Sequence, residues 1–267
     1  MRLIGVDFTS RPTRAKPITV AEGRREGGVV RLDALRELPD MGAFDALLRE
    51  PGPWLGGFDL PFGLPRELVD TLGWPATTGG LADHLRAHDR PALRAAFVAF
   101  CASRPAGSKF AHRAADLRAG SSPSMKWVQP PVAWMMHAGL PAIVGAGCHL
   151  PGLHDGDPGR VALEAYPGLL ARELVGRVSY KSDDRARQTP ARRAAREAML
   201  DALQGGRTRL GLRLGLDGAQ REALAADPRG DRLDAALCLV QAAWASDRPR
   251  HGWPEAVDPA EGWILTA

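Results

Sequence analysis

Several acidic side chains stand at the ends of segments that otherwise read as buried. Asp7 closes the apolar run Leu3-Ile4-Gly5-Val6, and Asp59 closes Trp54 to Phe58 just before Leu60-Pro61. Glu164 lies near the end of the run 160–166, ahead of Pro167, and Asp231 and Asp234 open a helical pattern after Gly230. A lone carboxylate in an apolar strand is costly to desolvate, so it calls for pairing, hydrogen bonding or a metal ion. Strand ends of open α/β sheets are where ligands bind. If these strands are neighbours, their acids converge and repel one another, and a divalent cation removes that repulsion. An all-oxygen ligand set favours Mg2+ or Mn2+, and two such ions roughly 4 Å apart suit phosphodiester cleavage. Asp7, Asp59, Glu164 and Asp234 are therefore candidate catalytic carboxylates, and together with Asp231 they are candidate metal ligands.

Purely structural roles compete with this reading. Asp231 and Asp234, three apart, share a helix face and also make an N-cap with an acidic first turn. Asp59 suits a turn cap, and Glu164 could pair with an arginine such as Arg172. Asp7 is the hardest to explain structurally.

Cations suited to phosphate occur in Ser108 to Asp116, which contains Lys109, His112 and Arg113, and in Tyr180-Lys181. Lys109, Arg113 and Lys181 are the candidate phosphate-binding residues, with Trp127 or Trp134 available to stack on bases. A solvated basic loop is the competing reading. Arg192, Arg193 and Arg196 share one helix and read as a solvated face. His112 and His137 have no recognisable nucleophile partner, and no GxSxG, Walker A or GxGxxG motif is present.

The elements that must position these groups are legible in outline. Residues 2–8 and 54–60 read as buried strands, and 17–23 and 28–33 as two short strands joined by a charged, glycine-rich turn. Residues 41–50 read as a helix ended by Pro51-Gly52-Pro53. Residues 65–147 are mostly helical, with helical spacing in Leu81 to His88 and Ala92 to Cys101. Ser103 to Pro131 reads as a long ordered loop. Residues 160–166 return to strand. Thr189-Pro190 opens a helix that Gly205-Gly206 closes, and 231–245 forms the last helix, with Leu233, Leu237, Val240 and Trp244 on one face. A three-strand meander followed by alternating helix and strand predicts a mixed α/β sheet covered on both faces.

The 267 residues fit one domain, 1–267, with a mostly helical insertion at about 65–150. Cys101, Cys148 and Cys238 are far apart and odd in number, which argues against a disulfide framework or zinc site and for a reducing, cytoplasmic setting. No run of about 18 uncharged apolar residues exists, and a charge at Asp7 precedes any signal-like segment, so no membrane association is expected. The net charge of +4 is compatible with a polyanionic partner without demanding one. Only four of the 35 basic residues are lysine.

At these residues the chain resembles a known family. Ile4-Gly5-Val6-Asp7, Phe58-Asp59-Leu60-Pro61-Phe62-Gly63-Leu64-Pro65, Glu164-Ala165-Tyr166-Pro167, Asp231 to Cys238 and Glu261-Gly262-Trp263-Ile264 are similar, in order, to domain-of-unknown-function family 429. The resemblance spans almost the whole chain and implies a ribonuclease H-like fold and a predicted nuclease, its activity itself inferred. It aligns Asp7 with the acidic residue of the first strand and Asp59 and Glu164 with later strand ends. Asp234, with Asp231, matches the acidic helix of Holliday-junction resolvases. The expected activity is a metal-dependent nuclease or phosphodiesterase acting on nucleic acid or another phosphoester. Two alternatives stand beside it. One is a nucleotide-dependent phosphotransferase of the actin-like or sugar-kinase type, although Asp7-Phe8-Thr9-Ser10 lacks a glycine-rich phosphate loop. The other is a binding protein that has the fold without the chemistry.

Overall fold

The computed structural model describes residues 1–267. Its strands are β1 (Arg2–Asp7), β2 (Ile18–Glu26), β3 (Val29–Leu38), β4 (Trp54–Phe58), β5 (Cys148–His149), β6 (Asp157–Glu164) and β7 (Arg213–Gly215). Helix α1 (Met41–Leu48) precedes β4. Helices α2 (Arg66–Leu72), α3 (Thr78–Ala87), α4 (Arg90–Ala102), α5 (Ala114–Ala119) and α6 (Val132–Gly145) lie between β4 and β5. After β6 come α7 (Pro167–Val175), α8 (Pro190–Gln204), α9 (Gly218–Ala226) and α10 (Asp231–Ala245). No helix is long and apolar enough to cross a membrane, and all three cysteines are free and buried.

The strands form one mixed sheet in the order β5-β6-β4-β1-β2-β3-β7. Strands β1, β4 and β6 run parallel, whereas β2 is antiparallel to both β1 and β3. This is the mixed α/β sheet expected from the sequence, with helices on both faces and a helical insertion. The meander strands run further than their hydrophobic pattern, because ion pairs such as Arg24–Glu26 and Arg31–Glu26 continue the hairpin into solvent. Strands β5 and β7, of two and three residues, are too short to show a period. The expected loop 103–131 contains the short helix α5, and Thr189 occupies the N-cap of α8 without a side-chain capping bond.

Side chains alternate across a strand, and this alternation divides the core in two. Ile4, Val6, Trp54, Phe58 and Ala162 face the inserted helices. Leu3, Leu55 and Leu163 face α10 and its neighbours α7, α8 and α9. On the α10 side, Gly5 and Gly57 are register partners at the middle of β1 and β4. A Cβ on Gly5 would lie 2.1 Å from the Ala235 carbonyl oxygen and 2.2 Å from the Leu239 nitrogen, and one on Gly57 would lie 2.8 Å from the Cys238 carbonyl oxygen. The backbone of α10 therefore rests directly on two strands that present no side chain there.

Gly5→Ala should force α10 off the sheet, because the atoms it meets are backbone. The expected loss is about 3 kcal/mol, seen as a melting temperature lowered by several degrees. Gly28→Ala, where nothing lies within 4 Å of the added carbon, is the control and should leave the melt almost unchanged.

Candidate functional site: a carboxylate-floored cleft

The C-terminal ends of β1, β4 and β6 open into a cleft of about 710 Å3. Asp7, Asp59, Glu164, Asp231, Asp234 and Lys181 all line it. The acids do not form one cluster, and strand parity explains why. Val6 pairs with Phe58, and Phe58 with Glu164, so Glu164 belongs to the row facing the insertion. Asp7 follows Leu3 and Gly5 on the other row, the α10 side. The Asp59 amide still donates to the Val6 carbonyl at 2.9 Å, which carries the pairing one residue further and places Asp59 beside Asp7.

Asp7 and Asp59 are partly exposed to the cleft, and neither carboxylate receives a hydrogen bond or ion pair from the protein. Desolvation, then the charge of Asp234, raises both above the usual carboxylate range. Asp59 is pushed up to about 7, and Asp7 also rises well above its ordinary value. The Asp59 side chain caps no turn. These are the orphaned groups that a cation would satisfy.

Asp234 is placed and occupied differently. It is fully buried in the first turn of α10, where it accepts the Tyr180 hydroxyl at 2.6 Å and the Lys181 ammonium. Asp231 is not the N-cap; that is Gly230, at φ +74° and without a side-chain cap. The Asp231 carboxylate lies 3.7 Å from the Arg229 guanidinium. Burial and then Asp227 raise it to about 6.

Glu164 and Arg113 correct two expectations. Arg113 is 1% exposed, and its guanidinium donates to Glu164 at 2.7 and 2.6 Å, to Asp116 at 3.2 and 2.8 Å, and to the Glu261 carbonyl at 2.8 Å. All five guanidinium N–H donors are thereby used, so none is left for a phosphate. Burial alone would lower the Arg113 pKa, but Glu164 and Asp116 hold it charged. Glu164 also accepts the Phe62 amide at 2.9 Å, so both its oxygens are engaged. Its arginine partner is Arg113 rather than Arg172, which bonds Tyr166.

Lys109 is likewise corrected. It lies outside the cleft, 5.5 Å from the Phe110 and Trp127 ring centres. Trp127 is packed against Phe97 in the core, and Trp134 faces Arg90, so neither tryptophan lines the cleft. The expected four-acid metal centre is corrected too. No group of three or more His, Cys, Asp or Glu side chains is placed to hold an ion, because Glu164 is turned to Arg113 and Asp234 to Lys181. A magnesium-type ion bound by one or two carboxylates plus substrate phosphate does fit the unpartnered pair Asp7 and Asp59.

Sequence reasoning missed Lys16, Arg229, Thr9, Ser10, Ser121 and Ser122, all of which line the cleft. A usable signal existed for Lys16: the chain has four lysines, and Lys16 and Lys181 are the two in the cleft. The hydroxyls carry no pattern in sequence. Compared with known proteins, the chain matches no family model, no curated protein and no solved structure.

Two outcomes follow from this geometry. Arg113→Met should lower stability by roughly 3–5 kcal/mol, because it strands Glu164 and Asp116 in the interior; denaturant titration reads this. Asp59 carries a raised folded-state pKa, so its contribution is most favourable below pH 4 and is lost as pH rises towards 7. In chelator, Asp59→Asn should therefore be more stable than the parent at pH 8. The gap should narrow towards pH 4, at up to ~1.4 kcal/mol per pH unit. A gap that is flat with pH would contradict the assignment.

Proposed function

We propose that the protein is a divalent-metal-dependent phosphodiester hydrolase acting in this cleft. The observation that carries the reading is the pair Asp7 and Asp59. These are two carboxylates at neighbouring strand ends, mutually repelling, desolvated and unpartnered, at the floor of a cavity large enough for a phosphoester. Structural carboxylates are paired, as Glu164 and Asp116 are in this same molecule. Leaving two together without partners is costly, and magnesium or manganese is the ligand that removes the cost with oxygen donors.

Asp7 and Asp59 would hold the ion, with Asp231 at the helix start nearby. When bound, such an ion supplies Lewis-acid polarisation of a phosphoryl oxygen and makes a water more acidic. The chain's own groups do the rest. The Thr9, Ser10 and Ser122 hydroxyls line the walls and are suited to phosphate oxygens, whereas the Ser121 hydroxyl donates to Asp116 at 3.0 Å. Lys16 and Arg229 also line the cleft, but Lys16 is paired with Asp183 at 2.6 Å and Arg229 lies 3.7 Å from Asp231, so they balance acids of the wall and add no net positive charge there. Arg113 acts from behind the floor, fixing Glu164 and with it the Phe62 amide and the end of β6.

The test uses the full chain with Mg2+ or Mn2+ on bis-p-nitrophenyl phosphate and on labelled DNA and RNA strands. Hydrolysis should stop in chelator and return with metal. Asp7→Asn should reduce it roughly 100-fold or more. Undiminished activity in Asp7→Asn, or hydrolysis indifferent to chelator, would overturn the reading.

A further inference from the structure

We propose that Lys181 is a resident cation of the cleft that stands in for a second metal ion, so that the site takes one divalent ion and presents the Lys181 ammonium beside it. This rests on the hydrolase reading above and narrows it from a two-ion to a one-ion site.

The placement of Lys181 is built rather than adventitious. Its ammonium sits on Asp234, which also accepts the Tyr180 hydroxyl at 2.6 Å. The backbone that carries it is fixed from the other side. Arg196 of α8, 3% exposed, donates to the Tyr180 carbonyl at 2.6 Å and to the Ala225 carbonyl at 2.8 Å. The Ser182 amide donates to the Pro228 carbonyl at 3.1 Å. Gly230 completes the fit: a Cβ there would lie 2.8 Å from the Lys181 Cβ, and its φ of +74° is one that favours glycine. The junction of α8, α9 and α10 is thus shaped around residues 180–182. A long surface lysine that merely drifts onto an acid needs neither a buried arginine behind its backbone nor a glycine beneath its side chain.

The charge balance agrees. Asp7, Asp59, Asp231 and Asp234 line the cleft with Lys181 among them. Asp234 is the acid that would have to complete a second ion site on the α10 side, and it is the one already neutralised. The unpartnered acids, Asp7 and Asp59, suffice for one ion only. Lys181 remains 42% exposed along its side chain. Its ammonium has three N–H donors and spends one on Asp234, leaving the others for a phosphate oxygen. It is therefore both a positioned cation and a limit on metal loading.

The experiment counts ions rather than turnover. Mn2+ is titrated into metal-free full-length protein by calorimetry, with free Mn2+ followed by electron paramagnetic resonance. The parent should bind one ion. Lys181→Met frees Asp234 and should bind two, and adding Asp234→Asn to that variant should return the count to one. Lys181→Arg, which keeps the charge, should stay at one. Thermal melts show that each variant is folded, and Lys181→Gln, which removes the charge but keeps a polar head beside Asp234, carries the comparison if Lys181→Met is unstable: it too should bind two ions, and one ion in a folded Lys181→Gln would overturn the assignment. Two ions in the parent, or one in a folded Lys181→Met, would overturn the Lys181 assignment while leaving a metal-dependent hydrolase intact. No ion in the parent would instead remove the hydrolase reading itself, and this proposal with it.

Discussion

The site depends on a contact between backbones. Helix α10 lies on β1 and β4 at Gly5 and Gly57, closer than any side chain would allow. That approach brings the first turn of the helix, with Asp231 and Asp234, to the strand ends that carry Asp7 and Asp59. A wider helix–sheet spacing, the ordinary outcome with two alanines, would leave Asp7 and Asp59 facing apolar packing or open solvent. The same contact explains why α10 is buried nearly all round: it is clasped by the sheet on one side and by α7, α8 and α9 on the other.

Strand parity then assigns the acids to different work. Asp7 and Asp59 share the α10 row and stay unpartnered, whereas Glu164, one row across, is used to lock the helical insertion to the sheet through Arg113. Glu261 performs a parallel task. Its two oxygens accept the Arg66 and Ala114 amides at 2.9 Å each, capping the starts of α2 and α5 from the C-terminal segment. The insertion is thus held by buried charge on one side of the sheet, while the unpartnered pair Asp7 and Asp59 lies on the other row. Geometric support and the candidate site are separated by the thickness of a single strand.

Much of this was legible in the sequence, and the boundary of legibility is physical. The apolar runs ending in Asp7 and Asp59 announced buried strands with acids at their tips, because period and burial are local properties. The meander and the last helix were legible for the same reason. Pairing between distant residues was not. Glu164 and Arg113 each look like active-site groups alone, and only the fold reveals that they neutralise each other. The sequence pattern places Arg196 with Arg192 and Arg193 on a solvated face. Arg193 does face solvent and pairs with Glu197 and Glu222, but Arg196 is one turn further round, under α9. Tyr180 carried no signal at all, since a phenol's role depends on which acid lies within reach.

The electrostatic cost of the floor is what separates a site from a packing accident. Burial and then Asp234 raise Asp59 to about 7, and the same causes raise Asp7 well above its ordinary value. At about 1.4 kcal/mol per pH unit, the charged forms of both acids subtract from a total stability of only about 5–15 kcal/mol. The N-terminus of α10 and Lys181 offset part of this, chiefly at Asp234. Two dense cores, one on each face of the sheet, can bear the remainder. A chain under no demand but folding would do better with asparagines at both strand ends, as the neutral side chains would keep the shape without the repulsion. Under the proposed function the expense has a use, because two adjacent charged carboxylates can hold what neutral amides cannot: a small, hard, doubly charged cation at the end of β1 and β4.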